Sequence, residues 1–466
     1  MKKRIWIGGA ILLLGVAITA VGLYFWGWHE VAIHLSSDYN GFVTENMREA
    51  RGHETLLPEY NTDVSIAFQN KDGTKTLYVF SSPIRFQNGN GQLSLIDIRL
   101  ANVREEGLRN QGYLYTVANS DIKSYYPKTL TSDQGVILQK GDNRYTFGVW
   151  SDEPILGWYQ NKNNFLGEKI PMVVYKKAAG GNDFCLYPSS LGVNGEIDFR
   201  HPPENGLVTI WLKIPGTDIQ VRKEPGGYLI LTREATDSEG NLSEEIVGVI
   251  QRPLLKDGNG VVTEEHELEL LPHGNGLYEL RLKFYEDVFQ GQCRAYISFE
   301  FRREKQADNA LYSELPNLKN AYLRNVSVIG NSSNYGIGRL MIRFQVAKAF
   351  DFQSFQIHKA EYITRSLSPT YGTFELLSVL EDWCSMTGNW NNHYKTGPQT
   401  ALLEQTDPTL RFDITNEMMA WCDNYDGQME HNGVQLRSID EKEGEAYLLL
   451  SNDNALYPNR TEIVFE

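Results

Sequence analysis

Short turn motifs recur along most of this 466-residue chain and limit its fold more than any other feature. Asp-Gly and Asn-Gly steps supply the positive φ angles that tight hairpins need. Runs of strand-forming residues lie between the turns, for example at 76–80, 206–212 and 294–301. The sequence therefore predicts antiparallel strands joined by short hairpins. The turn motifs are Lys71-Asp72-Gly73, Asn88-Gly89-Asn90-Gly91, Gly141-Asp142-Asn143, Pro225-Gly226-Gly227, Glu239-Gly240-Asn241, Asp257-Gly258-Asn259-Gly260 and Gly274-Asn275-Gly276.

Helical patterns are few. The best covers residues 416–423, with Thr415 or Asn416 as its N-cap. We therefore predict an all-β chain with multiple antiparallel β-sandwich-like domains after an N-terminal transmembrane helix. One short helix is expected in the C-terminal domain.

The N-terminus carries an uncharged run of 24 residues, 5–28, directly after Lys2, Lys3 and Arg4. At about 1.5 Å per residue, such a run spans a hydrocarbon core of roughly 30 Å as a helix. It predicts an uncleaved signal anchor in a cell membrane, with the basic end in the cytoplasm and the bulk of the chain extracellular. The alternative is a signal peptide that is cleaved at Ala20-Val21-Gly22.

Length and composition predict several domains beyond this anchor, because one hydrophobic core stops growing below this chain length. Residues 1–4 form a cytoplasmic basic tail, and residues 29–60 read as a stalk that is partly helical near 44–51. Three β domains are then expected. They cover 61–155, 156–304 and 305–466, and the boundary between the first two is poorly marked.

Charge and cysteine usage narrow the partners and the compartment. The net charge of −15 repels phosphate backbones, so we expect no nucleic-acid partner. The four cysteines form no C-x-x-C pair, which favours disulfides over metal binding in an oxidising compartment. We expect the pairs Cys185–Cys293 and Cys384–Cys422, and four free thiols are the alternative.

The order of motifs from Asp308 to the C-terminus resembles that of the DNRLRE-domain family of bacterial cell-surface proteins. This resemblance implies a β-sandwich similar to carbohydrate-binding modules, some of which bind alginate-type ligands. The chain departs from the family where Asn320-Ala321-Tyr322 replaces Asn-Tyr-Gly, while Asn334-Tyr335-Gly336 lies in the following loop. The matching pieces are Asp308, 326–331, 339–344, Ile357, 360–362, Asp382-Trp383, 390–392, Pro398, 412–415, Ala420-Trp421, 432–436 and 461–465.

A weaker resemblance lies upstream. Residues 82–86, 91–97 and 191–197 are similar to segments found ahead of DNRLRE domains in large wall-associated proteins. It implies that 60–305 belongs to the same architecture.

Catalytic motifs were sought and not found. The His266-Glu267 step lacks the second histidine of a zinc-protease motif, and no Gly-x-Ser-x-Gly elbow is present. We expect no enzyme and no cofactor. The Asp257–Gly260 motif predicts a hairpin turn, and a structural calcium ion is the alternative.

The sequence thus predicts a non-catalytic, extracellular binding module that recognises cell-wall or environmental polysaccharide. The alternatives are an envelope scaffold that binds a protein partner and, with less support, a polysaccharide hydrolase or lyase with an unidentified carboxylate pair. Trp383, Trp390 and Trp421 are expected to be core anchors, with sugar stacking as the alternative. The candidate ligand-binding residues are Asn334, Tyr335, His393, Tyr394, Tyr425 and Asp426.

Overall fold

The computed structural model describes residues 52–466 with gaps at 216–217, 237–241, 265, 286–288, 290, 302–307, 319–320, 322–323, 345–354, 369–370, 385–387, 393, 424–431 and 453–458. The expected anchor and the helix near 44–51 lie outside the described residues. Within the described part, no helix combines the length and the apolar character needed to cross a bilayer.

The chain opens with three strands that pair in order and a small two-stranded hairpin. A 3-10 turn at Pro58–Tyr60 separates the first two strands. The strands are β1 (Thr55–Leu56), β2 (Ser65–Gln69), β3 (Lys75–Phe80), β4 (Arg85–Gln87) and β5 (Leu93–Leu95).

The next stretch, 97–301, forms what we name the central sandwich. It contains one short helix, α1 (Glu106–Asn110), and a 3-10 turn at Glu204–Gly206. Its strands are β6 (Asp97–Asn102), β7 (Tyr113–Asn119), β8 (Ile122–Pro127), β9 (Thr129–Leu130), β10 (Val136–Lys140), β11 (Asn143–Val149), β12 (Ile155–Asn163), β13 (Lys169–Ala179), β14 (Asn182–Pro188), β15 (Gly192–Phe199), β16 (Leu207–Lys213), β17 (Ile219–Lys223), β18 (Leu229–Thr236), β19 (Leu242–Ile250), β20 (Leu254–Lys256), β21 (Val262–Thr263), β22 (Glu267–Gly274), β23 (Leu277–Lys283) and β24 (Cys293–Phe301).

Two antiparallel sheets make up the central sandwich. One has the order β22-β23-β16-β11-β10-β8-β7-β6, and the other has the order β17-β18-β19-β24-β15-β14-β13-β12-β9 with β20 and β21 at its side. Side chains alternate between faces, so Val193, Ile197 and Phe199 of β15 enter the shared core. Gly148 of β11 leaves room for Trp211 on the opposite, outer face, because a Cβ there would lie 2.7 Å from the indole.

The remaining strands complete what we name the terminal sandwich. It contains the second helix, α2 (Thr415–Asp423), close to its predicted bounds, and a 3-10 turn at Trp390–Asn392. Its strands are β25 (Asp308–Tyr312), β26 (Val326–Ser332), β27 (Gly336–Ile342), β28 (Ile357–Arg365), β29 (Thr373–Val379), β30 (Thr396–Glu404), β31 (Thr409–Asp413), β32 (Val434–Ser438), β33 (Ala446–Leu450) and β34 (Arg460–Phe465).

The terminal sandwich is built from both ends of the described part of the chain. One sheet has the order β1-β2-β3-β34-β28-β31, and the other has the order β30-β29-β32-β27-β26-β33, with β25 beside β27. Val64, Ala67, Leu77 and Val79 from the N-terminal strands share a buried core with residues of the C-terminal strands. Residues 55–80 are therefore an integral part of the C-terminal fold.

This arrangement differs from the three predicted domains. The predicted boundary at 155/156 falls inside the central sandwich, because β9 of the first predicted domain pairs with β12 of the second. The predicted stalk, 29–60, reaches into the terminal sandwich, where Leu57 and Tyr60 pack on its core. An all-β chain of antiparallel sheets is confirmed, but its division in sequence is discontinuous.

The two sandwiches meet along a mixed apolar and polar junction. Phe165, Leu254 and Tyr296 of the central sandwich pack against Val326 and Leu450 of the terminal one. Beside them, Arg324 of the terminal sandwich forms an ion pair with Glu264 of the central sandwich. Both partners are buried, so this pair joins the two sandwiches in a region from which water is excluded.

Candidate ligand-binding site

The predicted ligand residues do not come together in one place. Tyr335 is only 4% exposed and lies in the junction, where Arg252 Nη1 donates a hydrogen bond of 2.8 Å to its hydroxyl. The Arg324 guanidinium covers its ring at 4.6 Å. Tyr335 is therefore a junction residue with no exposed ring face for a sugar, which corrects the expectation from its loop position. Its neighbour Asn334 is exposed.

Three other predicted ligand residues, His393, Tyr425 and Asp426, lie outside the described residues. Tyr394 is described and partly buried. It packs with Trp390 on a small apolar cluster formed by Leu311, Met341, Val379 and Trp383. This cluster covers part of the outer face of the sheet that contains β27 and β29.

Trp383 packs on this outer face. Its indole is buried, and its Nε1 donates a hydrogen bond of 2.7 Å to the carbonyl oxygen of Asn432. The Arg343 guanidinium lies 5.2 Å from its ring centre. Trp383 is thus a buried anchor, as predicted.

Trp390 lies beside a planar ion pair. The Arg339 guanidinium is 5.2 Å from the Trp390 ring centre, and it forms two parallel hydrogen bonds of 2.8 and 2.9 Å with the Glu441 carboxylate. A bidentate pair of this kind holds both groups in one orientation. We name the set of Trp390, Asn391, Tyr394, Arg339 and Glu441 the Trp390 platform.

Asparagines shape the turn at the edge of the platform. The Asn392 side chain accepts a hydrogen bond of 2.7 Å from the Asn389 backbone, and Asn389 Oδ1 accepts one of 3.0 Å from the Asn391 backbone. Asn391 Nδ2 donates to Asn317 Oδ1 at 2.9 Å. Asn317 also lines a cleft of about 400 Å³ between the two sandwiches, together with residues 314–318 and the turn at Glu224 and Pro225.

The site combines aromatic rings, primary amides and one guanidinium–carboxylate pair, and groups of these kinds line many small-molecule sites in proteins. Burial, reinforced by Cys384, Glu381 and Asp382, raises the pKa of Tyr394 above its ordinary value, so its hydroxyl stays protonated and can donate a hydrogen bond. Among the described residues, no group of three or more His, Cys, Asp or Glu side chains could hold a metal ion.

A carboxylate pair on β15 bears on the hydrolase alternative. Glu196 and Asp198 lie two residues apart on one face, beneath the turn that carries Phe165. Glu196 Oε1 accepts hydrogen bonds from Tyr187 Oη at 2.6 Å and Phe165 N at 2.8 Å, and burial raises the pKa of its carboxyl to about 7. Asp198 is held by Lys162 and by Arg294 at 2.7 Å. Since both carboxylates are buried and bonded, this pair fits an ion cluster better than a cleft for substrate.

The cysteines do not follow the expected pairing. Cys185 is a buried free thiol, 3.5 Å from Lys162 Nζ. It lies opposite Glu196, whereas Cys293 lies opposite Phe199 on the other side of β15. Because 196 and 199 are an odd number of residues apart, the two cysteines point to opposite faces of the sheet and no Cys185–Cys293 disulfide is formed. Cys384 is exposed, and the side chain of Cys422 lies outside the described residues.

Sequence reasoning missed Arg339 and Glu441, which are 102 residues apart in the chain. No local pattern connects them. The available signal was that Arg339 lies in one of the segments, 339–344, that resemble the DNRLRE-domain family, and this says nothing of Glu441.

No model of a known protein family matches this chain, and no curated protein matches it. The N-terminal domain of the adhesin Sgo0707 from Streptococcus gordonii aligns with 79% of this chain and 94% of its own length, at 8% sequence identity and a TM-score of 0.16. A TM-score this low carries no argument about fold or function.

Proposed function

We propose that this protein is a non-catalytic, surface-displayed module that binds polysaccharide and is held at the membrane by residues 5–28. The observation that carries the proposal is the Trp390 platform. A partly buried indole and a tyrosine lie beside a bidentate Arg339–Glu441 pair and a turn rich in asparagine, next to an open cleft. Aromatic faces stack on sugar rings, and the planar polar groups bind ring hydroxyls.

The experiment is to bind the full-length protein, purified in a mild detergent, to immobilised cell-wall and plant polysaccharides. Replacing Arg339→Gln or Asn391→Ala should weaken binding about tenfold, which corresponds to about 1.4 kcal/mol. A matched control is Arg437→Gln, since Arg437 also bonds a carboxylate, Glu375, on the same face at 2.6 Å. The proposal fails if Arg339→Gln and Asn391→Ala bind like the wild type, if Arg437→Gln loses as much binding as they do, or if the wild type binds none of the polysaccharides.

A second candidate function is a scaffold that binds a protein partner. It is favoured by Leu380 and Leu402, which are 60% and 58% exposed at the edge hairpin of β29 and β30. Exposed apolar groups beside a strand edge are typical of protein contacts. A photo-crosslinker at position 402 should then give one discrete adduct on living cells, and a crosslinker at position 242, which is also exposed, should give none. Equal labelling from both positions would count against the scaffold.

A further inference from the structure

The outer face of the central sandwich carries a second set of exposed aromatic residues, far in sequence from the Trp390 platform. Trp150 follows β11 and is 41% exposed. The imidazole of His273, on β22, lies against its indole with ring centres 6.0 Å apart at an angle of 61°. Tyr285 follows β23 and is 38% exposed. A ligand that covers a large exposed aromatic side chain removes apolar surface from water, which favours binding. Exposed aromatic residues on an ordered face therefore indicate a binding role.

A ladder of paired charges connects the two aromatic ends. His273 Nε2 lies 2.9 Å from Glu279 Oε2, and Arg281 Nε donates to Glu279 Oε1 at 2.7 Å. Further along, Lys283 lies 3.5 Å from the Glu267 carboxylate, to which Tyr285 also donates a hydrogen bond of 2.9 Å. From Glu279 to Tyr285 this ladder extends roughly 20 Å along β23 and the residues after it.

The alternation of the strands fixes which side chains belong to this face. Leu268, Leu280 and Leu282 enter the core, so the residues between them point outward. Three carboxylates, Glu267, Glu269 and Glu279, are then balanced by three cations, Lys213, Arg281 and Lys283. We name this set, together with Trp150, His273 and Tyr285, the Trp150 face.

Paired charges alone are common on solvent-facing sheets and contribute little to stability. The Trp150 face differs from an ordinary solvent-facing sheet because exposed aromatic rings lie at both ends of its row of paired charges. Its three carboxylates and three cations balance, and Glu279 and Glu267 are paired with Arg281 and Lys283, so it offers hydrogen-bond donors and acceptors with little net charge. A strongly charged ligand gains no electrostatic attraction there, whereas an uncharged chain of hydroxyl groups can bond to both signs.

We propose that the Trp150 face is a second binding site, independent of the Trp390 platform, and that it takes an uncharged polysaccharide chain lying along β23. Trp150 stacks on one sugar ring, and Tyr285, at the other end of the ladder, contacts another. Glu279, Arg281 and Glu267 bond hydroxyl groups between them. The inference rests on the proposed function in taking a glycan as the ligand, and two sites on one chain would strengthen binding to long polymers by raising the effective concentration of the second site.

The test compares single and double variants of the full-length protein, in detergent, on immobilised laminarin, galactomannan and hydroxyethyl cellulose, with polygalacturonate as the charged comparison. Trp150→Ala should weaken binding to at least one neutral polymer about tenfold, and Tyr285→Ala should weaken binding to the same polymer. The matched control is Trp158→Ala, because Trp158 is 43% exposed but lies on a strand of the other sheet. Thermal melting of each variant shows whether it is folded.

The outcomes separate the two sites. If Trp150→Ala weakens binding and Arg339→Gln does not, the Trp150 face stands and the Trp390 platform falls. If only Arg339→Gln weakens binding, the inference is overturned and the proposed function stands. If each single variant loses part of the binding and the double variant loses nearly all of it, both sites stand. Preferential binding to polygalacturonate that disappears at high salt overturns the inference, as does a Trp158→Ala loss equal to that of Trp150→Ala.

Discussion

Arg324 shows how a single charged residue can join two β-sandwiches. Its side chain is 2% exposed and packs against the rings of Tyr312 and Tyr335, which are themselves in contact, with distances of 5.5 and 4.6 Å from the guanidinium to the ring centres. It pairs with the buried carboxylate of Glu264. A buried charge that loses its partner keeps its full desolvation penalty. Removing one partner of the pair therefore destabilises the protein more than replacing both partners with apolar residues. The stability of the junction therefore depends on both residues being present together.

Replacing Glu264→Gln should lower the free energy of unfolding by about 3–5 kcal/mol, because it leaves Arg324 buried without its counter-ion. Urea unfolding followed by circular dichroism measures the change. Glu244→Gln is the control, since Glu244 pairs with Arg222 while both are more than two-fifths exposed, and it should cost less than about 1 kcal/mol. Full stability of Glu264→Gln would show that the pair does not hold the junction.

Gly148 offers a second test at the scale of one residue. A Cβ at this position would lie 2.7 Å from Trp211 Cζ2 and 2.9 Å from Cε2. The Trp211 ring is held by hydrogen bonds from its Nε1 to the carbonyl oxygens of Val149 and Thr131, at 3.0 and 3.2 Å. It cannot shift without breaking them.

We therefore expect Gly148→Ala to destabilise the protein by about 1–3 kcal/mol, as overpacking usually does, and to change the near-ultraviolet circular dichroism of tryptophan. Gly89→Ala is the matched control, because nothing lies within 4 Å of its added Cβ. If Gly148→Ala melts at the wild-type temperature with an unchanged spectrum, Trp211 is not packed as described.

At the scale of elements, the pairing of β3 with β34 decides the architecture. Six residue pairs, from Lys75 opposite Phe465 to Phe80 opposite Arg460, join the two ends of the described chain. Without β1–β3, β34 would become an exposed edge and the core would lose Val64, Ala67, Leu77 and Val79. The terminal sandwich therefore requires residues from both ends.

Removing residues 52–82 should leave the remaining chain with an unfolded terminal sandwich and an intact central one. The expected readout is a single thermal transition with reduced enthalpy, together with rapid protease cleavage between 308 and 466 and protection of 97–301. Supplying a synthetic peptide of residues 52–82 should restore protection. Protection of 308–466 without the peptide would contradict the shared fold.

The same pairing shows what the sequence could and could not predict. The strand expected at 76–80 and the helix expected at 416–423 are present as β3 and α2, because turn residues and capping residues act locally. No local sequence pattern indicates that β3 pairs with a strand almost four hundred residues away. Register between distant strands is set by how their apolar faces fit a common core, which one sequence does not display.

In the candidate site, too, local features could be predicted from the sequence and contacts with distant segments could not. Tyr394 is a candidate because it is an aromatic residue outside the expected core strands; it packs with Trp390, and its contact with a ligand stays a prediction. Tyr335 gave the same local signal, yet it is buried, since the central sandwich supplies Arg252 to its hydroxyl. Whether a loop aromatic is exposed depends on what packs over it, and that information lies elsewhere in the chain.

At the scale of the whole molecule, three buried carboxyls lie along or near the junction. Burial raises the pKa of Glu196, Glu300 and Asp308 to about 7 each. Glu300 accepts a hydrogen bond of 3.1 Å from Gln251, which in turn accepts one of 3.2 Å from the backbone of Asn325 in the other sandwich. Asp308 accepts one of 2.8 Å from the backbone of Asn452. Ionisation of Glu300 therefore affects a hydrogen-bond chain that runs from the central to the terminal sandwich.

These carboxyls predict that stability falls as the pH rises from about 4.5 towards 7. In that window the folded protein keeps protons that the unfolded chain has released, so raising the pH favours unfolding. His266 acts in the opposite direction, since burial lowers its pKa from 6.5 to about 4 and its charging penalises the fold as the pH falls. The effect of three carboxyls on stability is larger than that of one histidine, and between pH 6.5 and 7 only the carboxyls still titrate.

The melting temperature of the full-length protein should drop by about 5 °C or more between pH 5.5 and 7.5. Glu300→Gln should flatten this pH profile because the amide does not ionise. A melting temperature that rises over this interval, or a Glu300→Gln profile as steep as the wild type, would mean that these carboxyls are not held protonated at the junction.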